Sequence, residues 1–296
     1  MRILLAIPHF HGAAAGEARH GSLRESGRAR RVAVLREQIM GLRDRFGGPW
    51  YGLMHVDRRV AESAPPWPAE IRILVCTVGD DHLLGELDLP PGWFEHRPQD
   101  CDPRHLGFAC HRLLLAERGG HDLYGYLEDD ILIEDGAFFR KIDLFNRATA
   151  AFDPNMPALL QPQRYERLAD FGPTACAATR AYVDYRVISG AMPGSSIELA
   201  WEGLRVVLEP TSHPHAGCFF LDDRQLAVAA RHPAFGAPSS AFVTALDSAA
   251  TLAIGQSLRV YKPALGSFSF LEVRHGHPGI LGQIGQDPDG RPVWRP

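Results

Sequence analysis

Three acids in a row, Glu128-Asp129-Asp130, follow the apolar segment Tyr124-Gly125-Tyr126-Leu127. Along extended chain successive side chains point to opposite faces, so Glu128 and Asp130 approach one site while Asp129 points elsewhere. Two carboxylates with open positions suit Mg²⁺ or Mn²⁺, which keep waters and take phosphate oxygens as further ligands. Acids crowded at one rim repel each other unless a cation neutralises them. The alternative is an acidic loop in which Asp135 caps a helix. Gly217, in His215-Ala216-Gly217-Cys218-Phe219-Phe220-Leu221, lets backbone approach a ligand closely, or simply turns the chain into a buried strand. Asp247 is a lone acid in the apolar stretch 241–254. It serves either as a general base or as an exposed residue on a helix face. Val273-Arg274-His275-Gly276-His277 supplies two imidazoles, good ligands for Mn²⁺ when neutral.

The elements that must position these residues alternate between strand and helix. Residues 3–7 form a continuous apolar run that Pro8 ends, as expected of a strand buried on both faces. Val32, Leu35, Ile39, Leu42 and Phe46 recur at helical spacing before Gly47-Gly48-Pro49. Residues 51–56 read as a second strand ending in Asp57, and 71–78 as a third. Asp102-Pro103 starts a helix carrying Leu106, Cys110, Leu113 and Leu114. Residues 123–127 form a fourth strand, and Asp135 caps a helix through Phe138, Phe139, Ile142 and Phe145. This order predicts an α/β fold, a mostly parallel central sheet with helices on both faces. Ligands of such sheets sit at the carboxyl ends of the strands. That rule sets residues 8–11, Asp57, Gly79-Asp80-Asp81 and the acidic run along one rim. Residues 153–215 show few clean periods and read as irregular chain. Regular pattern returns at 218–221, in a helix capped near Asp222, in a helix marked by Phe242, Leu246, Ala249, Ala250 and Ala253 and closed by Gly255, and in a strand at 258–261.

The acidic run resembles the D-x-D region of GT-A glycosyltransferases, in the variant where the first acid is Glu. The resemblance implies a Rossmann-like GT-A fold over residues 1–280, with a nucleotide-sugar-binding half (1–135), an acceptor-binding and catalytic half (136–280) and a C-terminal tail (281–296). It implies that Asp130 binds the Mn²⁺ or Mg²⁺ bridging a donor diphosphate. Glu128 faces the donor ribose or shares the metal, and Asp129 lies near the sugar. Pro8, His9 and Asp57 fall where the family holds the nucleotide. The Gly217 segment is similar to the loop beneath donor sugar and acceptor. Ala245-Leu246-Asp247 occupies the place of the x-E-D element that carries the base of inverting members, although Leu246 replaces its first acid. The late His ligand of the family corresponds to His275 or His277. The activity implied is sugar transfer from a nucleotide-diphosphate-sugar to the hydroxyl of a glycan or small-molecule acceptor.

Composition narrows the alternatives. A formal charge of −4 argues against a nucleic-acid partner, whose phosphates need a basic surface. The cluster Arg28, Arg30, Arg31 reads as a solvated helix face. No apolar run reaches the roughly 18 residues of a membrane span, which leaves only peripheral membrane contact open. Five scattered cysteines without a C-x-x-C pair fit a reducing, cytoplasmic setting. A nucleotidyltransferase is disfavoured because residues 9–16 contain Gly12 and Gly16 but no Lys or Arg. A non-catalytic nucleotide-sugar-binding module, and a metallohydrolase built on His213-x-His215 and His275-x-His277, remain the other readings.

Overall fold

The computed structural model describes residues 1–12, 27–167, 180–184, 194–211, 213–277, 279–287, 289 and 291–294. Strand β1 (Arg2–Pro8) is buried from its second residue on, and α1 (Arg28–Leu42) follows, ending in a π turn at Arg43–Gly47. Next come β2 (Trp50–Met54), β3 (Arg59–Ser63), β4 (Glu70–Val78) and β5 (Glu95–Gln99). The Asp102 side chain accepts from the Arg104 N–H at the entry to α2 (Leu106–Ala116). β6 (Leu123–Leu127), β7 (Ile131–Leu132) and α3 (Phe138–Ala148) complete the first half. Asp135 accepts from the Ala137 N–H at 2.8 Å and so secures the turn before α3.

A five-stranded sheet has the order β13-β6-β1-β4-β5, where β13 is Cys218–Leu221. β1 runs parallel to β4 and to β6, β4 runs parallel to β5, and β13 closes the edge antiparallel to β6. The period-two alternation of β1 feeds two cores. Ile3, Leu5 and Ile7 pack with Leu35 and Ile39 of α1 and Phe138 and Ile142 of α3. Leu4 and Ala6 pack with Leu106, Cys110 and Leu114 of α2, and with residues of two later helices, α4 (Asp223–Ala229) and α5 (Ala245–Ser257). The sheet is therefore covered on both faces, as the continuous apolar strands require.

Three expectations need correction. The strand at 51–56 does not enter this sheet: among the described residues β2 pairs with β3 alone, and their connection leaves Asp57 exposed in a hairpin turn. Among its described residues, the stretch expected to be irregular is largely sheet. It contains β8 (Ala158–Leu160), β9 (Gln163–Arg167), β10 (Arg180–Tyr182), β11 (Ile197–Trp201) and β12 (Leu204–Pro210). With β14 (Arg259–Pro263) and β15 (Glu272–His275) they build two four-stranded sheets, ordered β10-β9-β15-β7 and β11-β12-β14-β8. Gly255 lies inside α5 rather than closing it. The tail contributes a short hairpin, β16 (Ile284–Gln286) with β17 (Pro292–Trp294). Among the described residues no helix is long and apolar enough to cross a membrane, and Cys76, Cys101, Cys110 and Cys218 are free thiols; Cys176 lies outside the described residues.

Candidate functional site

The acidic run leaves the carboxyl end of β6 beside that of β1, and its backbone is pinned from three sides. The Glu128 N–H donates to the Gly217 carbonyl at 2.9 Å, and the Gly276 N–H donates to the Asp130 carbonyl at 2.7 Å. Gln38, buried on α1, donates to the carbonyls of Glu128 and Ile131, both at 2.7 Å. These bonds fix the direction of each carboxylate.

Asp129 turns toward the N-terminal elements. One of its oxygens meets His9 Nδ1 at 2.6 Å and Arg31 Nη2 at 2.7 Å. His9 Nε2 accepts from the Leu83 N–H at 3.1 Å, so Nδ1 carries the proton and donates to Asp129. Burial works to raise the Asp129 carboxyl, but the Arg31 charge and the His9 hydrogen bond outweigh it and hold it below its ordinary value. Arg31 is thus an internal counter-charge. Arg30 is exposed while donating to the Gly276 carbonyl at 3.1 Å, and Arg28 pairs with Glu86 near the surface, so within the cluster only Arg31 departs from the solvated face expected.

Glu128 and Asp130 turn toward the second half of the chain. Asp130 Oδ2 lies 3.4 Å from His275 Nε2 and 3.3 Å from His277 Nδ1. Burial opposes its ionisation, yet the two imidazoles hold Asp130 well below the usual carboxylate range. Glu128 is 7% exposed. Burial, then the neighbouring charges of Asp130 and Asp247, push its carboxyl up to about 8 against the pull of Arg164 and His275. Glu128 Oε1, Asp130 Oδ1 and His277 Nε2 are buried without hydrogen-bond partners. Gly217 has φ +66°, and a Cβ there would stand 2.9 Å from Glu128 Oε2 and from Ile131 Cδ1. The close approach that Gly217 permits is therefore to this carboxylate and its neighbour. Gly276 has the same function between the two imidazoles, since a Cβ would lie 2.5 Å from Val34 Cγ1 and 2.8 Å from Leu132 Cδ1.

Asp247 sits in the first turn of α5, where a carboxylate complements the helix dipole. Thr244 caps the helix and holds Asp247 Oδ2, while Oδ1 faces His215 Nε2 at 3.5 Å. Behind His215 lies a buried polar network. Lys262 donates to the His215 carbonyl at 2.5 Å, and Arg164 pairs with Asp184 at 3.0 Å. Burial, then the Arg164 charge, lowers His215 to about 4, so it is neutral; burial lowers Lys262 to about 8 against the attraction of Asp184. His213 and His215 pack near Phe242, away from the pair that flanks Asp130.

Nothing local in the sequence marks Gln38, Glu166, Asp184 and Lys262, because Gln38 and Glu166 stand among other polar residues and Asp184 and Lys262 have no motif around them. Among the polar and aromatic residues of the stretch 153–215, Arg164 joins the buried network. Tyr165 and Trp201 pack inside the fold, Arg180 and Tyr182 bind Glu272, and Tyr185 and Arg186 lie outside the described residues. Pro8 ends β1 next to His9. Asp57 is exposed on the hairpin and contributes no contact to this cluster.

The residues present fit a divalent cation by their chemistry: Asp130 lies between two imidazoles, with the Glu128 carboxylate beside it, and Glu128 Oε1, Asp130 Oδ1 and His277 Nε2 are buried without partners. As they stand, no three His, Cys, Asp or Glu side chains among the described residues form a ready metal-binding group. Such an ion would need its remaining ligands from phosphate oxygens and water, as a catalytic site with open positions does. No protein-family model matches the chain. No curated protein matches it either.

Proposed function

We propose that this chain is a metal-dependent glycosyltransferase of the GT-A type, moving a sugar from a nucleotide-diphosphate-sugar donor to an acceptor hydroxyl. The observation that carries the reading is the pairing of Asp130 with His275 and His277 at the carboxyl end of a parallel strand, beside Glu128 and within electrostatic reach of Asp247. Asp130 and His275 or His277 would hold Mn²⁺ or Mg²⁺. When bound, that ion supplies positive charge where the departing diphosphate gathers negative charge. Glu128, with Oε1 unpartnered, accepts a hydroxyl of the donor. His9 and Arg31 keep Asp129 out of that chemistry and fix the run that carries its two neighbours.

Asp247 is the general base. The acceptor oxygen attacks the anomeric carbon, its proton passes to Asp247, and the bond from that carbon to the diphosphate oxygen breaks with the electron pair leaving on the diphosphate. Neutral His215 beside Asp247 leaves that carboxylate free to take the proton. Attack opposite the leaving group inverts the anomeric carbon.

The test is a thermal-shift panel of nucleotide sugars with and without Mn²⁺, on the native chain and on Asp130→Ala. At least one donor should raise the melting temperature of the native chain only when Mn²⁺ is present, and Asp130→Ala should lose that increment. Failure of every donor to give an Mn²⁺-dependent shift refutes the reading.

A further inference from the structure

Glu166 is fully buried on β9, where apolar neighbours would be expected. Its place follows from strand register. β15 lies between β9 and β7, parallel to the first and antiparallel to the second. Arg274 pairs with Tyr165 on one side and with Leu132 on the other, and His275 pairs with Ile131. One residue further along β9 and β15, Glu166 falls beside His275, while Asp130, just before β7, lies opposite Gly276 and accepts its N–H at 2.7 Å. The imidazole bridges them: Nδ1 meets Glu166 Oε1 at 2.9 Å, and Nε2 faces Asp130 Oδ2 at 3.4 Å.

The same carboxylate accepts three backbone N–H groups from the segment after His277. Gly279 donates to Oε1 at 3.0 Å; Ile280 and Leu281 donate to Oε2 at 3.0 and 2.6 Å. A carboxylate with no exposed surface and four donors aimed at it is held in one orientation. It thereby fixes which nitrogen of His275 is turned inward, and it ties down the chain immediately beyond His277. One buried acid thus holds the His275 imidazole directly and the backbone of 279–281, two residues past His277.

We infer that Glu166 is a positioning residue. It holds the His275 Nδ1–H and the 279–281 backbone so that His275 Nε2 and His277 are presented to the cation site at Asp130. This rests on the metal-dependent reading above. Removing a carboxylate that orients a metal-ligating imidazole typically costs 10–100-fold in metal affinity. Glu166→Gln keeps the size of the side chain but places N–H donors against donors. Glu166→Asp keeps the charge on a shorter stem.

The experiment combines two measurements on the full chain. Long-range ¹H–¹⁵N NMR of histidine-labelled, metal-free protein should show a protonated, slowly exchanging His275 Nδ1, and the signal should be lost in Glu166→Gln. Mn²⁺ titration by calorimetry should give a dissociation constant raised about 10–100-fold in Glu166→Gln, with partial recovery in Glu166→Asp. An unprotonated His275 Nδ1 in the native chain overturns the inference, and needs no folded variant to do so. Equal Mn²⁺ affinity in native and Glu166→Gln protein also overturns it while leaving the metal reading intact. A protonated Nδ1 in a native chain that binds no Mn²⁺ refutes the metal reading and, with it, any role for Glu166 in presenting ligands.

Discussion

Replacing Gly217 by Ala tests the geometry of the acidic run directly. Two costs add. The backbone sits at φ +66°, a left-handed conformation that costs an L-residue roughly 1–2 kcal/mol. The new methyl would also stand 2.9 Å from Glu128 Oε2, Ile131 Cδ1 and Ile131 Cγ1, closer than carbon and oxygen tolerate. Relieving such overpacking costs a further 1–3 kcal/mol or so. Glu128 cannot give way freely, because its own N–H is bonded to the Gly217 carbonyl at 2.9 Å. The sum is about 3 kcal/mol. With an unfolding entropy of about 2 cal/mol/K per residue, a chain of 296 residues should lose about 5 °C in melting temperature. Gly266→Ala is the control, since a Cβ there meets nothing within 4 Å and no left-handed φ is imposed. Its effect should stay within about 0.5 kcal/mol. Differential scanning calorimetry of the two variants beside the native chain measures the difference. If Gly217→Ala melts within a degree of Gly266→Ala, the close packing of Gly217 on Glu128 is wrong, and the derived site geometry goes with it.

Other consequences follow from the same contacts. Asp129→Ala strips the hydrogen-bond acceptor from buried His9 and the counter-charge from Arg31, and should cost about 3 kcal/mol in urea denaturation; an unchanged midpoint would deny Asp129 its structural role. Asp57→Ala should leave nucleotide-sugar binding unaltered, because Asp57 is exposed in the β2–β3 turn, and a loss of affinity would bring that hairpin back to the site. His111 is buried and accepts from the Gly236 N–H at 3.1 Å, and burial lowers it from 6.5 to about 3. Its neutral form contributes stability that is fully present above pH 6.5 and is lost as pH falls toward 3. Between pH 7.5 and pH 5 the native chain should therefore lose roughly 2 kcal/mol relative to His111→Gln, read from denaturation midpoints at the two pH values.

The legible parts of the chain were those whose signals are local. β6 is an uninterrupted apolar run closed by acids, and β13 leads into Asp222, whose capping box with Gln225 is written three residues apart. The β2 segment has a strand's composition, but nothing within five residues says which sheet it joins; pairing with β3 is decided by the chain that follows. Arg31 was misread for the same reason. A basic residue on a helix is solvated unless something acidic packs across from it, and here the partner lies 98 residues away. Glu166 is hardest of all to see, since its burial is set by the register of β9 against β15, more than a hundred residues apart.

A turn closed by the Ile131 N–H on the Glu128 carbonyl at 3.1 Å, rather than the extended chain expected, sorts the three acids into different tasks. Asp129 faces β1 and α1, finds His9 and Arg31 waiting, and is fully engaged. Glu128 and Asp130 face elements that arrive much later in the chain: the Gly217 turn, His275 at the end of β15, and His277 just beyond it. An acid whose partners are complete stabilises the turn; acids left with unpartnered oxygens do not, and their crowding raises Glu128 at a cost to the fold. That asymmetry within a single tripeptide is what a ligand-binding rim requires. The middle carboxylate anchors the backbone, and its neighbours keep unsatisfied oxygens that the cation and diphosphate of the proposed transfer would engage.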